Sequence, residues 1–407
     1  MPAVVFVAPF FSENAKRFLQ TTGSLPGVAL GLVSQDPIEF LPPEVRAVIR
    51  AHVRVADALD PDTIVRAARQ IEAELGPLHR ILGAIEQIQV PLAEARERLG
   101  LEGLSVKAAT LFRDKNLMKD ALRAAGIPVA RHRLVDGTAE AHAFAAEVGY
   151  PLVVKPPAGA ASQATYRAGD GASLDEALHG AGLGQGSPVL LEEFVTGQEC
   201  SFEAFLQEGN VRFTSVTRYH PTPLEAMQNP WIQWVVVLPR EIDDPALDDI
   251  RTTGPRVLET LGLRTGMCHL EWFRRKDGSL TVSEVAARPP GAQICTMLSR
   301  AHDVDAVAVW AKLMIFGTFD PFPPRKYACG AAFLRGQGKG RVQAVHGVDV
   351  IGRDLGHMVC DARIPERGQE KSSSYEGEGY ILVRHPETRV VEDALKHIIS
   401  TIRVEIG

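Results

Sequence analysis

The sequence predicts an α/β (α+β) protein built of several subdomains, and three observations carry that prediction. The opening run Ala3–Ala8 is continuously apolar, as a buried strand is, and strand-like and helix-like segments alternate after it. Asp277-Gly278 separates two apolar-rich, strand-like stretches, Gly266–Arg275 and Ser279–Ala287, which is the strongest short hairpin signal. A chain of 407 residues, 45% of them hydrophobic, can bury several cores, and its length suggests roughly two to four domains or subdomains.

Taken in order, Ala3–Ala8 is the first strand of an N-terminal α/β region that extends to residue 111. Helical periodicity follows around Asp60–Leu75, with Asp60 placed to cap and Pro61 at the first helical position, and again around Val90–Leu99. The region has no GxGxxG, which argues against a dinucleotide fold. A helix bearing Lys115 and closed by Gly126 comes next, then a strand, a helix over 138–148 and a strand over 151–155. Strands are expected at 200–206, 211–217 and 234–238, and a helix near 246–262 precedes the Asp-Gly hairpin. Thr296–Phe316 reads as one apolar helix, and the chain from Asp320 turns Gly-rich and strand-like before a closing helix near Val390–Ile402. Residues 372–379, SSSYEGEG, read as a flexible turn.

Composition excludes some classes. There are 44 basic and 50 acidic residues, a net charge of −6, with no basic tract, which argues against nucleic acid as a partner. Five scattered cysteines have neither CxxC nor zinc spacing and read as reduced core thiols. The N-terminus lacks a cationic leader and no apolar run reaches the roughly 18 residues of a membrane span, so a soluble cytoplasmic protein is expected.

The hairpin carries the chemistry. With Asp277 and Gly278 as a two-residue loop, counting outward sets Glu271 directly opposite Glu284. Opposed side chains lie about 5 Å apart, so two like charges there need a neutraliser. Mg²⁺ (or Mn²⁺) suits them, because it takes a few carboxylate oxygens, keeps waters and is completed by substrate phosphates. A surface hairpin with two solvated glutamates also satisfies these residues. Arg288 continues the parity, and its guanidinium suits a phosphoryl group or a carboxylate. Lys115 and Lys155 can each offer an ammonium to phosphate oxygens, or be ordinary surface lysines. The loop Ala158, Gly159, Ala160, Ala161, Ser162 and Gln163 is small enough for its backbone N–H groups to approach an anion, although an ordinary turn uses the same residues. It is not a Walker-type GK[ST] loop.

In the order DKNLMK, YPLVVKP, AGAASQ, VLLEEFVTGQECSFE and Glu271…EVAARPPG, these elements resemble the ATP-grasp superfamily of carboxylate–amine ligases over most of the chain. The resemblance implies a pre-ATP-grasp domain over 1–111, a mobile lid and nucleotide subdomain over 112–193, a catalytic subdomain over 194–317 and a β-rich C-terminal portion over 318–407. It implies ATP and Mg²⁺ as cofactors, with Lys115, Lys155 and the 158–163 loop on the phosphates. Glu192 would stand at the adenine amino group with Glu193, Phe194 and Val195 beside it, and Glu199 on the ribose hydroxyls, where a carboxylate accepts a fork of hydrogen bonds. Glu271 and Glu284 would be the metal ligands and Arg288 the catalytic cation. Most members carry Asn two residues after the second glutamate; here that position is Ala286, which resembles the bacterial L-amino-acid ligase branch.

Substrate recognition is expected in 217–234, TRYHPTPLEAMQNPWIQW, with His220 and Trp231 contacting substrate and Gly291 presenting backbone beside Arg288. His220 bonding only a turn backbone is the plainer alternative. The expected activity is ATP-dependent amide formation between a small carboxylate and an amine through an acyl phosphate, one or both substrates being amino acids. The alternatives are a purine-pathway or biotin-carboxylase-type ATP-grasp enzyme, and a non-catalytic ATP-binding regulator. Resembling enzymes are often dimers, so a homodimer is expected by analogy.

Overall fold

The first strands show why the chain begins as it does: β1 (Ala3–Val7) and β2 (Ala29–Ser34) are buried along their whole length, which only a parallel sheet covered on both faces provides. With β3 (Ile49–Arg54) and β4 (Leu78–Leu82) they form a parallel sheet in the order β3-β2-β1-β4. The helix Pro61–Leu75 packs on it, capped by Asp60, whose carboxylate accepts from the Thr63 N–H. The chain leaves β1 toward one edge and returns on the other side as β4. The crevice past the carboxyl ends of β1 and β4 is therefore a topological switch point, where α/β sheets bind ligands. This computed structural model describes residues 1–159 and 164–407.

An antiparallel sheet follows, made of β5 (His132–Val135), β6 (Leu152–Lys155), β7 (Tyr166–Ala168) and β8 (Val189–Glu193) in the order β5-β8-β6-β7. The helices Thr138–Val148 and Gly171–Gly180 bury one face of it.

The largest sheet has eight strands. It takes β9 (Gly197–Gln207), β10 (Asn210–His220), β11 (Trp234–Leu238), β12 (Gly266–Arg275), β13 (Leu280–Ala286) and β14 (Ala328–Leu334). Past β15 (Val342–His346), it also takes β16 (Val359–Arg363) and β17 (Gly379–His385), in the order β13-β12-β9-β10-β11-β14-β17-β16. Most strands after residue 318 thus extend this sheet, while β15 pairs apart with β18 (Arg403–Ile406). One face packs on the helix Asp248–Leu261. The other meets the N-terminal region and the helices Ile294–His302 and Ala306–Phe316. The expected single helix over 296–316 is two, because Asp303 turns left-handed (φ 54°) and Asp305 caps the second helix at Val307 and Ala308. No helix among the described residues is long and apolar enough to cross a membrane.

The hairpin sets Glu271 opposite Glu284, by a route other than the expected two-residue loop. Arg275 bonds Ser279, so the loop has three residues, 276–278, with Gly278 left-handed (φ 85°). That offset is cancelled by a bulge at Ser283, where the register moves from Trp272↔Val282 to Glu271↔Glu284.

Gly197 begins β9 where the chain passes from the second sheet into the third. A Cβ there would lie 2.1 Å from the Arg274 carbonyl oxygen. Gly197→Ala is expected to cost about 2 kcal/mol or more, read as a lower denaturation midpoint with unchanged slope.

Candidate active site

A cleft of about 720 Å³ opens where the three large sheets meet. The N-terminal region contributes Phe6–Ala8 at the carboxyl end of β1 and Ala84–Gln87 past β4, the two sides of the switch point. The second sheet contributes Lys155, Glu192 and Glu193, and the large sheet contributes Glu199, Tyr219, His269, Glu271 and Glu284.

Lys115 opens the helix Lys115–Ala124, whose cap Asp114 accepts from the N–H groups of Asn116 and Leu117. Its ammonium is buried 3.0 Å from Glu284 Oε1 and donates to the Gly159 carbonyl at 3.0 Å. Lys155 ends β6, where Pro156 stops the strand, and its ammonium lies 3.0 Å from Glu192 Oε1. One helical turn past Lys115, the fully buried Lys119 reaches the same oxygen at 3.4 Å and donates to the bulged Ser283 carbonyl at 2.6 Å. Glu192 Oε1 has no well-aligned hydrogen bond to either ammonium. Burial alone would raise the Glu192 carboxyl, but the two ammonium groups outweigh it and hold it at about 2. Burial also opposes the charge on both lysines; Lys155 gains enough from Glu192 and Glu284 to titrate above its ordinary range, whereas Lys119 falls to about 8. Glu192 is therefore a neutraliser of two lysines, and it lines the cleft.

Glu193 is clasped by Arg131 at 3.1 Å and Arg275 at 2.6 Å. Phe194 and Val195 line the cleft, with the Arg167 guanidinium over the Phe194 ring at 4.7 Å. Glu199 is buried in the wall, and its carboxyl is pushed up by that burial and by Glu271. The Ala158 and Gly159 carbonyls accept from Arg113 at 2.9 and 2.7 Å, and Gly159 lines the cleft. Ala160, Ala161, Ser162 and Gln163 lie outside the described residues.

Glu271 rests on a buried polar network. His269 Nε2 lies 3.5 Å from Glu271 Oε1, and His269 Nδ1 lies 3.0 Å from Glu203, a fully buried acid that also accepts from Ser201 and Thr217. Burial lowers the imidazole, but its bonds to the two glutamates dominate and raise it to about 9. With Lys115 on Glu284, each of the opposed acids has a cation beside it. Among the described residues no group of three His, Cys, Asp or Glu side chains is arranged to hold a metal alone. The two carboxylates fit Mg²⁺ that keeps waters and takes phosphate oxygens.

Arg288 donates through Nε to Glu86 at 2.5 Å and through Nη1 to the Pro289 carbonyl at 2.9 Å. Glu86 was not legible as a site residue; the signal is its place just past a parallel strand that flanks the switch point. The sequence also missed Lys119 and His269.

The recognition segment needs correction. Gly291 lines the cleft, but His220 and Trp231 do not. Side chains alternate along β10, so Tyr219 faces the cleft, its hydroxyl 3.4 Å from His269 Nε2 and its ring against Trp234. His220 points to the other side, toward the charges of Glu392, Arg218 and Lys396. Trp231 is 61% exposed. Tyr375 and Glu376, from the expected flexible turn, stand in the cleft instead.

The ATP-grasp domain family matches residues 148–297. An L-arginine-specific L-amino acid ligase of Bacillus subtilis is 26% identical over 261 residues, 62% of each chain. An alanine–anticapsin ligase of Bacillus subtilis (strain 168) is 25% identical over 246 residues, 56% of this chain and 52% of that protein. The matches thus span from about half to just under two thirds of these relatives. The crystal structure of an L-amino acid ligase from Bacillus licheniformis superposes with a TM-score of 0.81 at 19% identity, over 100% of this chain and 99% of that one.

Proposed function

We propose that this chain, whose residues 148–297 match the ATP-grasp domain family, is an ATP-dependent carboxylate–amine ligase that forms an amide or peptide bond, with an amino acid as one or both substrates. The observation that carries the reading is the meeting, in one cleft, of opposed Glu271 and Glu284 with Lys115, Lys155 and Arg288. The two curated relatives, both ligases by name and one an L-amino acid ligase, support the substrate class.

In this reading Lys115 and Lys155 hold the phosphates of ATP, with Phe194 and Val195 beside the base and Glu199 on the ribose. Mg²⁺ held by Glu271 and Glu284 supplies charge neutralisation on the transferring phosphoryl group. Lys115 passes from Glu284 to a phosphate when the nucleotide enters. Arg288, oriented by Glu86 and the Pro289 carbonyl, faces the carboxylate that receives the phosphoryl group and steadies the oxyanion formed when the amine attacks. The products are the amide, ADP and phosphate, and no covalent enzyme intermediate is needed. Five free cysteines, four of them buried, are consistent with work in the reducing cytoplasm.

A second reading, a nucleotide-binding regulator without turnover, is motivated by Ala286, which lines the cleft opposite His269 where most ATP-grasp members carry Asn. Phosphate release from MgATP, measured across amino acids and small carboxylates singly and in pairs with mass detection, separates the two. Release that requires a particular pair, with a product at their summed mass less water, is the expected result. Bound ATP with silence across the array would favour the regulator.

A further inference from the structure

We propose that Glu376, carried by the segment 372–378, selects the cationic group of the amine substrate in this cleft; the inference rests on the ligase reading above. The segment is pinned rather than loose. Glu378 is buried and accepts from the Gly336 N–H at 2.7 Å and the Ser372 N–H at 2.8 Å, and Tyr375 packs edge-on against Trp234 with ring centroids 4.6 Å apart. Between these anchors Glu376 Oε1 accepts from the Ala292 N–H at 3.0 Å, four residues beyond Arg288. The receiving turn holds Ala292 and Gln293 at positive φ, 51° and 58°, a conformation that persists only where the surroundings enforce it.

Four other acids that line the cleft have cations already. Glu86 has Arg288, Glu192 has Lys155 and Lys119, Glu271 has His269, and Glu284 has Lys115. Glu376 has no ion pair among the described residues; Arg363, the cation that acts on it, donates instead to the Glu378 carbonyl. A carboxylate in a cleft with one backbone hydrogen bond is completed by a charged donor, and such bonds are about twice as strong as neutral ones. Tyr375 and Trp234 beside it offer an aromatic wall for the body of the same molecule. The ligand chemistry is an organic cation, either the α-ammonium of an amino acid or a basic side chain.

Glu376→Gln keeps the oxygen that accepts from Ala292 and removes the charge. Wild type and variant, with equal thermal midpoints, are assayed with MgATP and each of the twenty proteinogenic amino acids as carboxylate donor. The acceptor is either hydroxylamine, a neutral nucleophile, or each of the same amino acids. The expected result is hydroxamate formation within about twofold of wild type, with the amino-acid acceptor KM raised about tenfold or more and kcat less affected. A rise for every acceptor identifies the α-ammonium; a rise confined to Lys and Arg identifies the side chain. An unchanged acceptor KM overturns the inference, as does equal loss of hydroxamate formation. Wild-type enzyme that forms hydroxamates but no amide with any of the twenty overturns it alone, while wild type that forms neither sinks the ligase reading as well.

Discussion

Arg288→Ala is expected to lower kcat/KM by about 10³-fold, or about 4 kcal/mol of transition-state stabilisation, because it removes the cation held where charge develops. The substitution also unfolds the protein more easily. Arg288 is the partner of Glu86, a carboxylate only 6% exposed, and removing one member of a buried pair costs about 3 kcal/mol. The two effects separate in a double variant. Glu86→Gln combined with Arg288→Met leaves no unpaired charge, so the denaturation midpoint should return toward wild type while kcat/KM stays low. Recovery of activity with stability would show that Arg288 matters only through the fold.

Glu192→Leu is expected to destabilise by about 3 to 5 kcal/mol at neutral pH, since it strips the shared counter-charge from the buried Lys119 and Lys155. The pH dependence has a definite sign. Glu192 titrates at about 2 in the folded protein against an ordinary 4.5, so its contribution is fully present above pH 4.5 and is lost as pH falls through 2. That shift corresponds to at most about 3 kcal/mol. Urea unfolding of wild type and Glu192→Gln between pH 5 and pH 2 checks it: the gap between the two should narrow on acidification. A constant gap would mean that Glu192 is not the group that titrates. Lys119 acts in the opposite window, its penalty easing as pH rises from 8 toward 10.5.

Much of this site was readable because it rests on local rules. Period two placed Glu271 against Glu284, and the ends of a strand and a helix placed Lys155 and Lys115. Lys119 was missed although a local rule reaches it, since it stands four residues from Lys115 and therefore on the same helical face. His220 failed by one residue, which in a strand is a change of face, and Tyr219 took its place. Glu86 and Glu376 were out of reach for another reason. They meet partners 202 and 84 residues away in sequence, and no periodicity encodes such a distance.

The hairpin was predicted with the right pair and the wrong loop, and its sequence held the correction. Leu280 and Val282 alternate toward the core beneath the sheet, but the next core residue is Val285, three positions on, which marks the bulge at Ser283. Loop and bulge are therefore separable. Arg275 can pair with Ser279 around a loop of two residues as well as three, and losing Ser283 would bring Glu284 directly after Val282, opposite Glu271, so either loss alone leaves the two acids facing each other. What the extra residue supplies is the carbonyl that Lys119 bonds, so shortening the hairpin at Ser283 would spare the acid pair and take an acceptor from the buried lysine.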